Sequence, residues 1–269
     1  MMTTPDFSAT VERFTGFASC YDQTRPAAPQ ALADLLLPMA RCPRPKLMVD
    51  LGCGTGLSTR YWAPYAEAVV GIDPTDAMRE QAERNALPNL TFRKGFSHAT
   101  GLPDQCADLV LCGQCLHWME PVGTFAESAR ILRAGGVFAS YDYDWPPATG
   151  FWEVDQAYSE CMDTARRLEK KHGITDQVPK WDKDGHLGRL RDSGQFRYVR
   201  ECLLHHVDTG GAARIVDVLL SQGSVQSLLK LGVSEQELGI DRLRTIASQT
   251  FGETTTNWHW SVRIRLGVR

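Results

Sequence analysis

The chain has 269 residues, 43% of them hydrophobic and 23% charged, enough for one large α/β domain with insertions or two small domains around a sizeable core. A net charge of −3 and a pI near 6.2 offer no electrostatic footprint for a polyanion, so nucleic acid is not expected as a partner. No apolar run approaches bilayer length, and MMTTPDFSATVERF has neither a basic start nor an apolar signal core, so a soluble, cytoplasmic protein without a membrane partner is expected, as a monomer or homodimer.

The eight cysteines, without a secretion signal, read as small buried hydrophobes in a reducing compartment. Cys112 and Cys115 form a CxxC with His117 two residues on. No second ligand pair or thioredoxin-like context accompanies them, so the structural reading is favoured and no metal is expected.

In chain order, residues 1–45 are expected to form an N-terminal helical cap. From residue 46 to about 145, short apolar runs alternate with helix-period segments, the pattern of βαβ units around a mostly parallel sheet. KLMVDL (46–51), AVVGID (68–73), LTFRKG (90–95), ADLVLC (107–112) and GVFASY (136–141) read as strands. Thr75 or Asp76 caps a helix that Pro88 ends, and Phe125, Ala129 and Leu132 share one face of a helix stopped by Gly135 and Gly136. Residues 146–195 form a helical insertion. FRYVRECLLHHV (196–207) reads as a sixth strand, and 210–256 as a second helical insertion, the two together forming a lid. In NWHWSVRIRLGVR, Trp258, Trp260, Val262, Ile264 and Leu266 alternate with polar residues, which marks an antiparallel terminal strand with one buried face and makes Arg263 and Arg265 a solvated face.

The stretch VDLGCGTGLST, residues 49–59, follows the first strand and opens a helix, where an open parallel sheet binds ligands. A dinucleotide fingerprint needs glycine at 52, 54 and 57, but the third glycine is Gly56 and position 57 is Leu. A phosphate-cradling loop needs glycines five apart followed by Lys and Ser or Thr, which the stretch lacks. Asp50 sets a carboxylate just before the first glycine, poor company for pyrophosphate and good company for a cation. S-adenosyl-L-methionine, with an ammonium, a sulfonium and no phosphate, fits that field, and its carboxylate can use free N–H groups at the start of the next helix. Asp73, at the end of the second strand, is placed to accept from both ribose hydroxyls of an adenosine, a contact NAD would want equally.

These residues, with VVGIDPTDAM and GFSHATGLPDQCADLVLCGQCLHW in the same order, resemble the class I S-adenosylmethionine-dependent methyltransferases over about residues 46–145, and look closest to the branch containing trans-aconitate methyltransferase. The resemblance implies a Rossmann-like α/β fold. It implies that Gly52, Cys53, Gly54 and Gly56 line the methionine portion with Asp50, that Asp73 holds the ribose, and that Pro74 and Met78 flank the adenine. Ser97 and His98 would lie at the adenine edge and Gln114 near the methionine portion. Many relatives carry an Asp after the glycine equivalent to Gly95 that bonds the adenine amino group; this chain has Phe96. The segment YDQTRP (21–26) resembles one that folds over the cofactor, which makes Tyr21 and Arg25 candidates for closure or substrate contact.

Methyl transfer is an in-line displacement, so alignment and exclusion of water supply much of the rate. Tyr21, Trp118, Tyr143 and Trp145 are candidates for aromatic faces around the cationic methyl group, each weighed against ordinary core packing. His117, just after strand four, is the candidate general base, with an equal alternative as a histidine pinning its loop; His205 and His206 share a strand, so at most one faces inward. The acceptor is expected to be a small organic acid or hydroxylated metabolite, O-methylated with release of S-adenosyl-L-homocysteine and selected by the insertions around 151–173 and 219–232. An RNA or protein methyltransferase, a non-catalytic subunit binding an adenosyl ligand, and a nicotinamide-dependent oxidoreductase are the alternatives.

Overall fold

The computed structural model describes residues 24–174 and 179–269. Seven strands form one sheet in the order β3-β2-β1-β4-β5-β7-β6. β1 (Leu47–Leu51), β2 (Ala68–Asp73), β3 (Leu90–Lys94), β4 (Ala107–Gly113) and β5 (Leu132–Tyr143) are parallel; β7 (Thr256–Val268) runs antiparallel to both β5 and β6 (Tyr198–Gly210). The apolar runs of β1, β2 and β4 are the consequence of helices on both faces: nearly every residue in them is buried.

In the parallel half, α1 (Gln30–Met39) precedes β1, α2 (Leu57–Trp62) follows it, α3 (Asp76–Arg84) follows β2 and α4 (Pro121–Ile131) joins β4 to β5. The sequence reading carried α4 through Leu132 to a glycine stop. Leu132 is instead the first residue of β5, extended at ψ 137° and paired with Ala107, because the strand partner captures it before the glycines are reached. α3 likewise stops at Arg84, with Asn85 as its cap, ahead of Pro88.

Beyond β5 the first insertion contains α5 (Trp152–Lys171) and α6 (His186–Asp192). The second contains α7 (Ala212–Leu220), α8 (Gly223–Lys230), α9 (Glu235–Leu238) and α10 (Ile240–Phe251). Although the insertions are far apart in sequence, α5 packs on α7, α8 and α10. Val154, Tyr158, Ile215, Leu219, Leu228 and Leu243 share one buried cluster with Trp258, Trp260, Val262 and Ile264 of β7. The alternation read for the last strand therefore points its apolar face at this helical layer. Arg265, on the other face, is not solvated as expected: it is 2% exposed and paired with Asp142 and Glu201. α6 covers that face, so the arginine is buried between charges of opposite sign.

Candidate active site

The carboxyl ends of β1, β2, β4 and β5 open on a cleft of about 1250 Å³ of empty space, mouth included. Its floor is the glycine loop. Gly52 has φ +65°, and a Cβ there would lie 2.7 Å from Met119 Cε and 2.9 Å from Cys115 Sγ. Gly54 has φ +54°; a Cβ there would meet no atom within 4 Å, so bare backbone faces the open space. Gly56 does not border the cleft. A Cβ on it would crowd Phe92 and Ala82, so this glycine serves the packing of the loop against its neighbours.

Asp73 ends β2 with its carboxylate on the cleft wall. Oδ2 accepts from Gly54 N at 2.9 Å and Oδ1 from Thr75 N at 2.8 Å, while the Arg79 guanidinium donates to Asp73 O at 2.8 Å. Burial raises the pKa of this carboxyl, and the two backbone donors oppose the rise. Each oxygen keeps acceptor capacity beyond its one backbone donor, which suits a vicinal diol. Beyond Asp73, Pro74, Met78, Phe96, Ser97 and His98 border one end of the cleft. Ser97 Oγ lies 2.7 Å from Thr124 Oγ1, and the Phe96 and His98 rings stack at 5.4 Å.

The opposite end is bordered by Arg25, Gln114, Trp118, Tyr141 and Tyr143. Gln114 sits at φ +57°, held by its N–H to Tyr141 O at 2.8 Å. Arg25 links three parts of the chain: it donates to Ser221 O at 2.8 Å, reaches Gln222 Oε1 at 3.5 Å and Gln114 Oε1 at 3.4 Å, and lies 4.8 Å over the Trp145 ring. Gln222 is in turn fixed by Tyr158 of α5 at 2.9 Å. Tyr143 donates to Ala27 O at 2.5 Å and Tyr141 to Ser58 Oγ at 3.0 Å. Burial pushes both phenols well above their ordinary range, so they are neutral donors at pH 7.

Several candidates from the sequence fall elsewhere. Asp50 lies behind the loop, 1% exposed, with Oδ2 accepting from Thr59 Oγ1 at 2.7 Å, and does not border the cleft. His117 is set back as well: its short turn, Leu116–Trp118, aims the ring at Asp142, with Nδ1 3.9 Å from Oδ1, a carboxylate that Lys183 and Arg265 also approach. The role of general base therefore does not pass to it on this geometry. Trp145 does not border the cleft itself but touches two residues that do, Arg25 and Tyr143. His206 faces the helical layer and His205 the other side, bonded to His259 at 3.0 Å; neither borders the cleft. Tyr21 lies outside the described residues. Ser58 and Tyr141 were not anticipated, and Ser221 and Gln222 only as part of the 219–232 insertion. Ser58, in the first turn after the glycine loop, and Tyr141, at a strand's carboxyl end, carried a positional signal, whereas Ser221 and Gln222 arrive only by packing of the second insertion. Among the described residues, no group of three or more His, Cys, Asp or Glu is placed to hold a metal, and the described cysteines are free thiols.

Residues 49–140 match the family model described as a methyltransferase domain. The chain is 30% identical over 192 residues to the Saccharomyces cerevisiae protein described as the probable S-adenosylmethionine-dependent methyltransferase CRG1, covering 69% of this chain and 58% of that protein. It is 35% identical over 123 residues to an uncharacterized methyltransferase of Mycobacterium tuberculosis, covering 46% of this chain and 49% of that protein. The chain thus spans about half the length of the curated relatives it matches. Its fold is that of an Anaeromyxobacter dehalogenans structure provisionally named a type II methyltransferase, at a TM-score of 0.63 and 23% identity over 91% of this chain and 97% of that one. The architecture is the Rossmann-like methyltransferase fold, and residues 49–140 are similar to a methyltransferase domain, with one relative described as S-adenosylmethionine-dependent.

The cleft fits that cofactor on its own terms. Asp73 offers two oxygens to a ribose, apolar side chains border the cleft beyond it, and among the described bordering residues Arg25 is the only arginine or lysine.

Proposed function

We propose that the protein transfers a methyl group from S-adenosyl-L-methionine to the oxygen of a small carboxylic acid, within or near the trans-aconitate methyltransferase-like branch. When bound, the cofactor supplies an electrophilic methyl carbon on a sulfonium. Asp73 orients the ribose, and the bare backbone at Gly54 admits the methionine portion closely. Gln114, Tyr141 and Tyr143 form the polar, neutral wall on the acceptor side, and Arg25 gives that end a positive charge.

One observation carries the choice of acceptor. Beside Gln114, both phenols are held neutral by burial and His117 faces Asp142 instead of the cleft, so none of these three offers a base to an acceptor held there. A hydroxyl acceptor gains from a base that takes its proton; a carboxylate has no proton to lose. The arrangement supports esterification over ether formation.

The test is transfer from methyl-labelled cofactor into a panel of small mono- and dicarboxylic acids and into a metabolite extract. Label is expected in organic products that release it as methanol under mild alkali. Alkali-stable label would move the reading to a hydroxyl or nitrogen acceptor. No labelled product at all, despite cofactor binding, would favour the non-catalytic alternative.

A further inference from the structure

Asp50 is a buried acid with no counter-ion among the described residues. It is 1% exposed, Oδ2 accepts from Thr59 Oγ1 at 2.7 Å, and Oδ1 is buried without a hydrogen-bond partner. The titratable groups that face it come from every element around it: Asp73 at the end of β2, Cys53 in the glycine loop, Cys115 after β4 and Tyr141 on β5, with the hydroxyls of Ser58 and Thr59 from α2. No cation is among them. A carboxylate in such a place carries its full desolvation cost and favours the protonated form. Burial accordingly raises its pKa to about 7, against an opposing contribution from the two hydroxyls.

The position matters because Ser58, Cys115, Cys53 and Tyr141, which surround Asp50, all border the cleft. A positive charge docked against the glycine loop would be separated from Asp50 by a single layer of side chains, in a region with few competing charges. Resting on the cofactor reading above, we propose that Asp50 couples cofactor binding to proton release: its buried carboxyl group retains a share of its proton in the free protein and ionises fully when the ammonium of an S-adenosyl ligand settles before the loop. The proton leaves through the Ser58 and Tyr141 hydroxyls, which are 3.0 Å apart, and ends in solvent. The carboxylate then serves as the counter-charge that the free protein lacks.

The experiment is calorimetric titration with S-adenosyl-L-homocysteine, which carries the ammonium and cannot turn over, in two buffers of different ionisation enthalpy at pH 6, 7 and 8. For a group titrating near 7, release of about 0.9 proton at pH 6, about 0.5 at pH 7 and about 0.1 at pH 8 is expected, with affinity about tenfold tighter at pH 8 than at pH 6. Asp50→Asn should remove that release and flatten the dependence, while protons lost by the ligand itself or by Asp73 persist in both proteins and subtract out. Thr59→Val, which deletes one of the two hydroxyls favouring the ionised form, should carry the release to higher pH; it provides a second readout should Asp50→Asn fold poorly. Binding without proton release at pH 6, or equal release from the Asn variant, overturns this inference and leaves the cofactor reading intact. No binding of the ligand at any pH overturns the cofactor reading first, and this inference with it.

Discussion

The strands from β3 to β5 run parallel and their carboxyl ends frame the cleft, whereas β6 and β7, thirteen residues each, contribute no residue to its border. The parallel half keeps polar groups at its exposed ends: Asp73, Gln114 and the glycine loop are each placed by a strand terminus or a positive φ. The antiparallel half keeps its side chains in two layers, with Trp258 and Trp260 under the helices and a charged set, Glu201, Arg263 and Arg265, across the other face. One half presents atoms to a ligand and the other joins the insertions to the sheet. A side chain in the first should therefore govern affinity with little effect on stability, and one in the second the reverse.

The largest effect should come from Trp260→Ala. The ring is fully buried, its Nε1 donates to Asp208 Oδ1 at 2.8 Å, and it packs edge-on against Tyr143 and Trp145. Truncating a buried aromatic of this kind costs about 3–5 kcal/mol, to be read from urea denaturation. Affinity of the folded fraction for S-adenosyl-L-homocysteine should stay within about threefold (roughly 0.7 kcal/mol). A large loss of affinity in the folded fraction would break the division between the halves.

Asp50 gives a stability effect inside the ligand-binding half, and its sign can be worked out. The unfolded carboxyl ionises near 3.8 and the folded one near 7, so between those values the native state binds more protons and stability falls as pH rises. Without ligand, the contribution spans roughly 3 kcal/mol from pH 4 to pH 7, most of which Asp50→Asn should remove when unfolding is followed across that range. Asp73→Ala should do the opposite of Trp260→Ala. It deletes two acceptors for a ribose and weakens S-adenosyl-L-homocysteine binding about a hundredfold, near 3 kcal/mol, in a calorimetric titration, with the unfolding midpoint little changed. Near-normal affinity in a folded protein would remove the ribose assignment.

Much of the parallel half was legible before the structure because its strands are near-continuous apolar runs and its loop residues answer to backbone geometry. The boundaries were less so. ILRAGG reads as a helix running to a glycine stop, yet pairing of Leu132 with Ala107 decides the matter, and that partner is 25 residues away in sequence. His117 shows a second limit: its place after β4 put it near the rim, but the direction of its ring depends on a short turn and on Asp142 from another strand. Arg25 was legible as a candidate and 219–232 as a segment near the acceptor, whereas the pairing of Arg25 with Ser221 and Gln222 was not, since no periodic pattern announces which residues of a helical insertion will reach the site.

The smallest effect concerns Phe96, where the chain departs from the pattern it otherwise resembles. A carboxylate at this place would read the adenine amino group; an aromatic ring offers only a face. Phe96 borders the cleft, is 39% exposed and stacks on His98, so a base docked there would extend an existing stack. Phe96→Ala should weaken binding of S-adenosyl-L-homocysteine by about fivefold, roughly 1 kcal/mol, in line with the loss of one aromatic stacking partner. Discrimination is the sharper measurement. With no carboxylate at position 96, S-inosyl-L-homocysteine, which replaces the amino group by a carbonyl, should bind within about tenfold (1.4 kcal/mol) of the adenosyl compound, and Phe96→Asp should widen that gap by pairing with the amino group and repelling the carbonyl. Wide discrimination already present in the unsubstituted protein would mean that another group, Ser97 being the nearest polar side chain along the chain, reads the base edge in place of the missing acid.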